Sequence, residues 1–289
     1  MVGKFSIKDL EKLSGIKAHT VRIWEQRYGI LKPERTDTNI RWYNNDELKH
    51  LLNITFLYNN GYKISKIAAY KSDEITDEVN KIINTQINPC EQIDGLIISM
   101  VEMDEQRFEK IISTNILKNG FTNTIENVIY PFLHKIGIMW QTNCVNPAQE
   151  HFISNLIRQK LIVAIDGQIV KENTNSKKFV LFLPEMELHE LSLLYFSYLL
   201  KSKGHIVTYL GQAVPIVDLQ KVIEIKKPDY LISVFTQPLH SFEDYIKSLS
   251  KLLPKGSILL SGYQVIENTF KSPKNVKTFK TPTDLILLL

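Results

Sequence analysis

The sequence predicts a multidomain chain: an N-terminal winged helix-turn-helix, a helical (four-helix) bundle, and a C-terminal α/β doubly wound parallel sheet. Three observations predict it. Excess positive charge is confined to the first quarter. Short helices there are punctuated by caps and glycines and followed by a β-prone tail. After about residue 178 long helical runs give way to short apolar strands alternating with helices. The 289 residues suffice for two or three domains. A composition of 44% hydrophobic and 23% charged residues is that of folded protein, which excludes wholesale disorder, a collagen-like fibre and a disulfide scaffold.

The net charge of +4 divides unevenly. Residues 1–71 carry 13 Lys and Arg against 7 Asp and Glu, a net +6, and the remainder carries 22 against 24, a net −2. Such asymmetry points to a basic module that meets a polyanion, attached to a near-neutral body. Cys90 and Cys144 form no CxxC pair, so neither a disulfide framework nor a thiolate zinc site is suggested. No uncharged apolar stretch reaches about 18 residues, and the charged start MVGKFSIKDLEKL lacks a signal-peptide core. The expected compartment is a reducing cytoplasm, with no membrane partner.

In the first quarter Ser6 and Asp9 form a capping box, with Asp in place of Glu or Gln. Ile7, Leu10 and Leu13 make an apolar stripe that Gly15 ends. A second helix runs from about Ala18 to Tyr28, with Val21 and Trp24 on one face and Gly29 as its stop. The tight link Ser14-Gly15-Ile16-Lys17 gives helix-turn-helix geometry. KPERTDTNIRWY (32–43) reads as a hairpin, or wing. Asn45 is the expected cap of a third helix with Leu48, Leu51, Leu52 and Leu57 on its core face, and a short fourth helix spans about Ile64–Tyr70.

Residues 71–88 are polar and read as a linker plus a helix start. From Pro89 to Lys171 the pattern is helical: Asp104 caps a helix that Gly120 ends, Pro131 kinks or breaks the next, and Asn146-Pro147 opens one running to about Val170. A four-helix bundle is the economical packing. Then FVLFLP (179–184), HIVTYLG (205–211), YLISVF (230–235), SILLSG (257–262) and VKTF (276–279) alternate with helix-like stretches, implying a parallel sheet with right-handed crossovers. Such sheets bind ligands at the carboxyl ends of their strands. The expected domains are 1–72, 73–172 and 173–289.

The stretches FSIKDLEKLSGIKAHTVRIWEQRYGILKPERT and NIRWYNNDELKHLLNI give residues 1–70 a highly specific resemblance to the winged-helix DNA-binding domain of the MerR family. The resemblance implies double-stranded DNA as partner, with the second helix in the major groove and the wing on the phosphate backbone. It places His19, Thr20 and Arg22 on the groove side, Tyr28 at the helix end, Arg35 and Arg41 in the wing, and Tyr43 after it. The chemistry agrees, since Arg forks match phosphate oxygens or the guanine edge and hydroxyls suit backbone contacts. Trp24 is read as core, and Tyr28 equally suits wing support.

The rest resembles the cobalamin-binding module of methionine synthase and of CarH-type light-responsive repressors, a helical cap followed by a Rossmann-like domain. The bundle signature, Trp, nine residues, Glu-His, is met by Trp140, Glu150 and His151. The second signature, DxHxxG, SxL and GG, is met in spacing by Glu187, His189, Ser192, Ser233, Phe235, Ser261 and Gly262. The resemblance implies adenosylcobalamin, with Trp140 and Glu150 over its upper side, His189 the cobalt ligand from below, and His151 able to bind cobalt once the adenosyl group is lost. Three departures are Glu187 for Asp, and Ser192 and Ser261 for glycines that let backbone approach a cofactor. Cys144 is read as a packing residue.

The implied function is a transcriptional regulator, a repressor, that senses a cobalamin and responds to light through photolysis of the cobalt–carbon bond. A homo-oligomer, dimer or tetramer, is expected from the bundle and sheet domains, because no long heptad run follows residue 70. Two alternatives stay open: a regulator with a degenerate, cofactor-free sensor under another ligand or partner, and a corrinoid carrier of a methyltransferase system. Catalysis is not expected, as no nucleophile–base pair or P-loop stands out.

Overall fold

Ser6 opens α1 (Ile7–Ser14) with the expected capping box: its Oγ accepts from Asp9 N at 3.3 Å, and Asp9 accepts from Ser6 N at 2.8 Å. Gly15 ends the helix in the left-handed region at φ 74°. α2 (Ala18–Tyr28) follows, tied back by Glu11, whose carboxylate accepts from Ala18 N at 3.1 Å. Leu10, Leu13, Val21 and Trp24 are buried. β1 (Glu34–Arg35) and β2 (Arg41–Trp42) form the antiparallel wing. The cap of α3 (Asn45–Asn59) is Asn44, not Asn45: Asn44 keeps an extended backbone and accepts from Glu47 N at 2.9 Å, while Asn45 is already helical. The fourth helix, α4, is shorter than expected, Ile64–Ile67.

The computed structural model describes residues 4–36, 39–85, 89–141, 145–170, 174–239, 241–267 and 270–289. These fall into two compact units, residues 1–156 and 157–289.

The segment read as a linker plus a helix start is helical over most of its length, as α5 (Ser72–Thr85). Few apolar residues suffice because Ile75, Val79 and Ile82 fall at i, i+4 and i+7 and are all buried, giving the stripe that seats α5 on α3. The bundle comprises α6 (Pro89–Glu102), α7 (Glu105–Asn119), a long helical stretch and α10 (Pro147–Asp166). Asp104 caps α7 as expected, accepting from Arg107 N at 2.9 Å. The long stretch is α8 (Phe121–Thr124), a π turn over Ile125–Ile129 and α9 (Tyr130–Gln141). Pro131 therefore does not break the helix. It cannot donate a backbone N–H, and the wider turn just before it, with Tyr130 N on Ile125 O, absorbs the misfit. Asn146 caps α10 through Gln149 N at 2.9 Å, and the helix stops at Asp166, before Gly167.

The second unit runs β3 (Lys178–Pro184), α11 (Leu191–Ser202), β4 (Ile206–Val214), α12 (Ile216–Lys226), β5 (Tyr230–Val234), α13 (Phe242–Leu252), β6 (Ser257–Ser261), α14 (Tyr263–Glu267), β7 (Val276–Thr278) and α15 (Pro282–Leu287). The five strands are parallel in the order β4-β3-β5-β6-β7. One face packs Val180, Phe182, Leu231, Ile258 and Leu260 against Leu219, Ile246 and Leu249. The chain leaves β3 for β4 on one side and returns to β5 on the other, which makes the carboxyl ends of β3 and β5 the topological switch point. No helix among the described residues is long and apolar enough to cross a membrane.

Candidate functional site

His19, Arg22 and Gln26, one helical face of α2, are exposed, and Thr20 and Tyr28 are half-buried. In the wing Arg35 stands directly opposite Arg41. Like charges so placed repel, so this hairpin carries a cationic face whose natural complement is an anion. Arg35 Nη1 donates to Asn39 at 2.5 Å, and Arg41 Nε donates to Glu25 at 3.2 Å. The tip residues 37 and 38 lie outside the described residues.

In the head, Glu25 is a residue that the sequence reading missed. It is an acid on a helix read for its cations, and its second oxygen accepts from the Tyr43 hydroxyl at 3.0 Å. Tyr43 itself is fully buried, and burial, then the Glu25 charge, push its phenol well above the usual range. Tyr43, expected beside Arg41 as a DNA contact, thus has its hydroxyl engaged within the protein. In this conformation it bonds inward and fixes Glu25, which orients Arg41.

In the second unit the loop after β3 carries Glu187 and His189. Glu187 Oε1 lies 2.6 Å from His189 Nδ1 and accepts from His189 N at 3.0 Å. Its Oε2 accepts from Thr236 N at 2.6 Å and Gln237 N at 2.9 Å, in the loop after β5. The carboxylate therefore spans the switch point. Burial pushes the Glu187 carboxyl up, but the hydrogen bonds from His189, Gln237 and Thr236 outweigh it and hold the group at about 2. The extra methylene relative to Asp does not prevent the pairing. With Nδ1 held by the Glu187 carboxylate, Nε2 is the ring nitrogen through which the imidazole can ligate a metal, the orientation a carboxylate partner gives a ligating histidine.

The same loop is stitched on two further sides. Glu190, buried, accepts from Arg158 Nε of α10 at 2.6 Å and from the Tyr209 hydroxyl at 2.8 Å. Gln212 Nε2 donates to Leu188 O at 2.6 Å. Met186 and Leu188, on either side of Glu187, are exposed and present apolar surface beside the imidazole.

Ser233 is fully buried, in the row between Phe182 and Leu260, and its Oγ has no hydrogen-bond partner. An orphaned buried hydroxyl suits a polar group brought by a ligand. Ser192 is half-buried in the first turn of α11, and Ser261 is buried at the end of β6. Gly262 has φ 102°, and a Cβ there would stand 2.5 Å from Phe235 O. The glycine is needed by the protein's own loop contact, where Phe235 N donates to Ser261 O at 2.9 Å and Gln264 N to Phe235 O at 3.0 Å. Phe235 itself is a fourth departure, standing where the SxL pattern has Leu.

In the first unit Trp140 belongs to α9, with its side chain outside the described residues, as is Cys144. Glu150 and His151 lie in α10, His151 Nδ1 2.9 Å from Glu150 Oε2, with the imidazole largely exposed. His189, Glu187 and the orphaned Ser233 hydroxyl are a donor set that fits a cobalamin.

Residues 5–74 match the family described as MerR HTH family regulatory protein, and residues 92–164 match the B12 binding domain. The chain is 26% identical to the HTH-type transcriptional repressor CarH of Myxococcus xanthus over 260 residues, 87% of this chain and 86% of that one. It is 26% identical to the repressor CarA of the same organism, over 80% of this chain and 76% of that one. The monomethylamine corrinoid protein of Methanosarcina barkeri, 12% identical, shares the fold with a TM-score of 0.54 over 70% of this chain and 98% of that one. With a MerR-type head, a B12-binding-type bundle and a parallel sheet on one chain, the protein is similar to CarH over most of both lengths.

Proposed function

We propose that the chain is a DNA-binding transcriptional repressor whose affinity for its operator is set by adenosylcobalamin. The observation that carries this is the Glu187–His189 pair, 2.6 Å apart at the switch point, on a chain whose first domain is a winged helix. His19, Thr20 and Arg22 face the major groove, Tyr28 supports the wing, and Arg35 and Arg41 hold phosphates. Glu25 orients Arg41 through its Nε and so leaves the guanidinium's outer nitrogens for the backbone.

His189 would hold the cobalt from below, oriented by Glu187, and Met186 and Leu188 would meet the apolar macrocycle. Ser192, Ser233, Ser261 and Gly262 would line the nucleotide side, and Trp140, Glu150 and His151 the opposite side. Bound adenosylcobalamin supplies a photolabile cobalt–carbon bond. A homo-oligomer, in the cytoplasm with its DNA, is the state in which cofactor and DNA binding are reciprocally coupled.

The test is an absorption spectrum of the protein after incubation with adenosylcobalamin and gel filtration, before and after illumination. A retained chromophore that changes with light is expected, and His189→Ala removes its histidine-ligated signature. No retained chromophore sinks the cobalamin reading and leaves a regulator under another ligand or a protein partner.

A further inference from the structure

Within the first unit a chain of polar contacts joins the start of α10 to the DNA-reading head. Gln149, next to Glu150-His151, donates from Nε2 to Val101 O at 3.0 Å. The next residue, Glu102, ends α6 with its side chain only 9% exposed. Its Oε2 accepts from Arg107 Nη1 at 2.9 Å, and its Oε1 lies 3.4 Å from both Lys49 Nζ and Asn53 Nδ2 of α3. The Arg107 side chain is 4% exposed and is also paired with Asp104, the cap of α7. The turn between α6 and α7 is strained: Met103 sits at φ 54°, in the left-handed region that disfavours a side chain.

A buried ion pair is weak evidence for stability, because apolar side chains would seal two helices at least as well. What it adds is a fixed angle between them. The surrounding interface is loose. The Asn53 Oδ1 and Thr55 Oγ1 atoms of α3 are buried without hydrogen-bond partners. A cavity of about 10 Å³, about enough for one water, lies between Leu13, Leu52 and Thr55 of the head and Asp94, Ile97 and Ile98 of α6. Each unsatisfied group costs about 1–3 kcal/mol, so the contact between α3 and α6 is less firmly held than a fully satisfied one.

We infer that Glu102 is a positioning residue, through which the start of α10 sets the placement of the DNA-reading head. Movement at Glu150-His151 shifts Gln149 and, with it, the Val101–Asp104 turn. Glu102 passes the shift to Lys49 and Asn53, and α3 carries α1 and α2 with it. This rests on the cobalamin reading above.

The test is hydrogen exchange on the full chain, with and without adenosylcobalamin, for the wild type and a Lys49→Met/Asn53→Leu variant. That variant removes the α3 end of the link and keeps the Glu102–Arg107 pair, whereas Glu102→Gln strands a buried Arg107 and risks unfolding the bundle. In the wild type the cofactor is expected to change exchange in both the start of α10 and α3, by about fivefold or more in α3. In the variant the chromophore is retained and α10 responds as before, while α3 no longer does. An α3 response equal to the wild type's overturns the inference, as does a wild type in which α10 responds and α3 does not. A wild type that retains no chromophore overturns the cobalamin reading as well, and the spectrum shows that separately.

Discussion

Replacing Glu187 with Gln removes the charge from the clamp that spans the switch point and leaves its shape. The carboxylate accepts four hydrogen bonds, two at each oxygen. An amide has one oxygen. If it faces the Thr236 and Gln237 amides, its NH2 opposes the His189 backbone N–H, and one donor goes unpaired at about 1–3 kcal/mol. The pKa gives an independent magnitude: a fall from 4.5 to about 2 is worth about 3 kcal/mol. The sign follows from a folded-state value below the unfolded one. The stabilisation is fully present above about pH 4.5 and is lost as pH falls toward 2. At pH 7 the variant is therefore expected to be less stable by about 3 kcal/mol, and at pH 3 by about 1. Urea unfolding of the cofactor-free protein followed by circular dichroism measures it. The three tryptophans, Trp24, Trp42 and Trp140, all lie in residues 1–156, so their fluorescence reports the other unit in the same titration. A deficit below about 1 kcal/mol at pH 7, or one equal at pH 7 and pH 3, refutes the clamp.

Gly262→Ala places a methyl group 2.5 Å from Phe235 O at φ 102°, and is expected to cost about 3 kcal/mol or more in the cofactor-free protein, read from the urea midpoint. Arg41→Ala is expected to weaken binding to duplexes of any sequence. It should also reduce the salt slope by about 0.9, so that the wild type loses about threefold more affinity than the variant between 50 and 200 mM salt. An unchanged slope removes Arg41 from the phosphate contacts. Asn44→Ala is expected to cost about 1 kcal/mol of stability, and Asn45→Ala under about 0.5, which thermal unfolding distinguishes.

Features written into adjacent residues were legible in the sequence. Ser6 with Asp9, Gly15, Gly29, Asp104 and Asn146-Pro147 each cap or stop a helix as read, because a cap needs only local partners. The alternation that predicts the sheet is equally local. Asn44 and Asn45 were not separable, since either side chain can cap and the backbone decides. The extent of helix α5 was hidden by its polar composition, although three apolar residues at helical spacing were enough. The roles of Glu187 and His189 were legible through the family resemblance, but the reach of Glu187 to Thr236 and Gln237 was not, as those amides are 49 and 50 residues away. Glu25, Glu102 and Glu190 escaped for the same reason. Each is an ordinary acidic residue until the fold adds a cation from 16 residues away or, for Lys49 and Arg158, from farther, although Glu102 also pairs locally with Arg107.

The facing guanidiniums of the wing make that hairpin's energetics depend on its company. Alone, Arg35 and Arg41 stand opposite each other across a two-residue ladder, and Glu25 pairs with only Arg41. Against a row of phosphates the same pair becomes complementary. Ionic strength should accordingly act with opposite signs on the two states, firming the hairpin of the free protein by screening its internal repulsion while loosening the complex. Amide protection at Thr36 and Ile40 would rise with salt in the free chain as affinity falls. On the proposed DNA-bound reading, a wing built this way is most ordered on DNA, and part of its rigidity is supplied by the phosphates it meets.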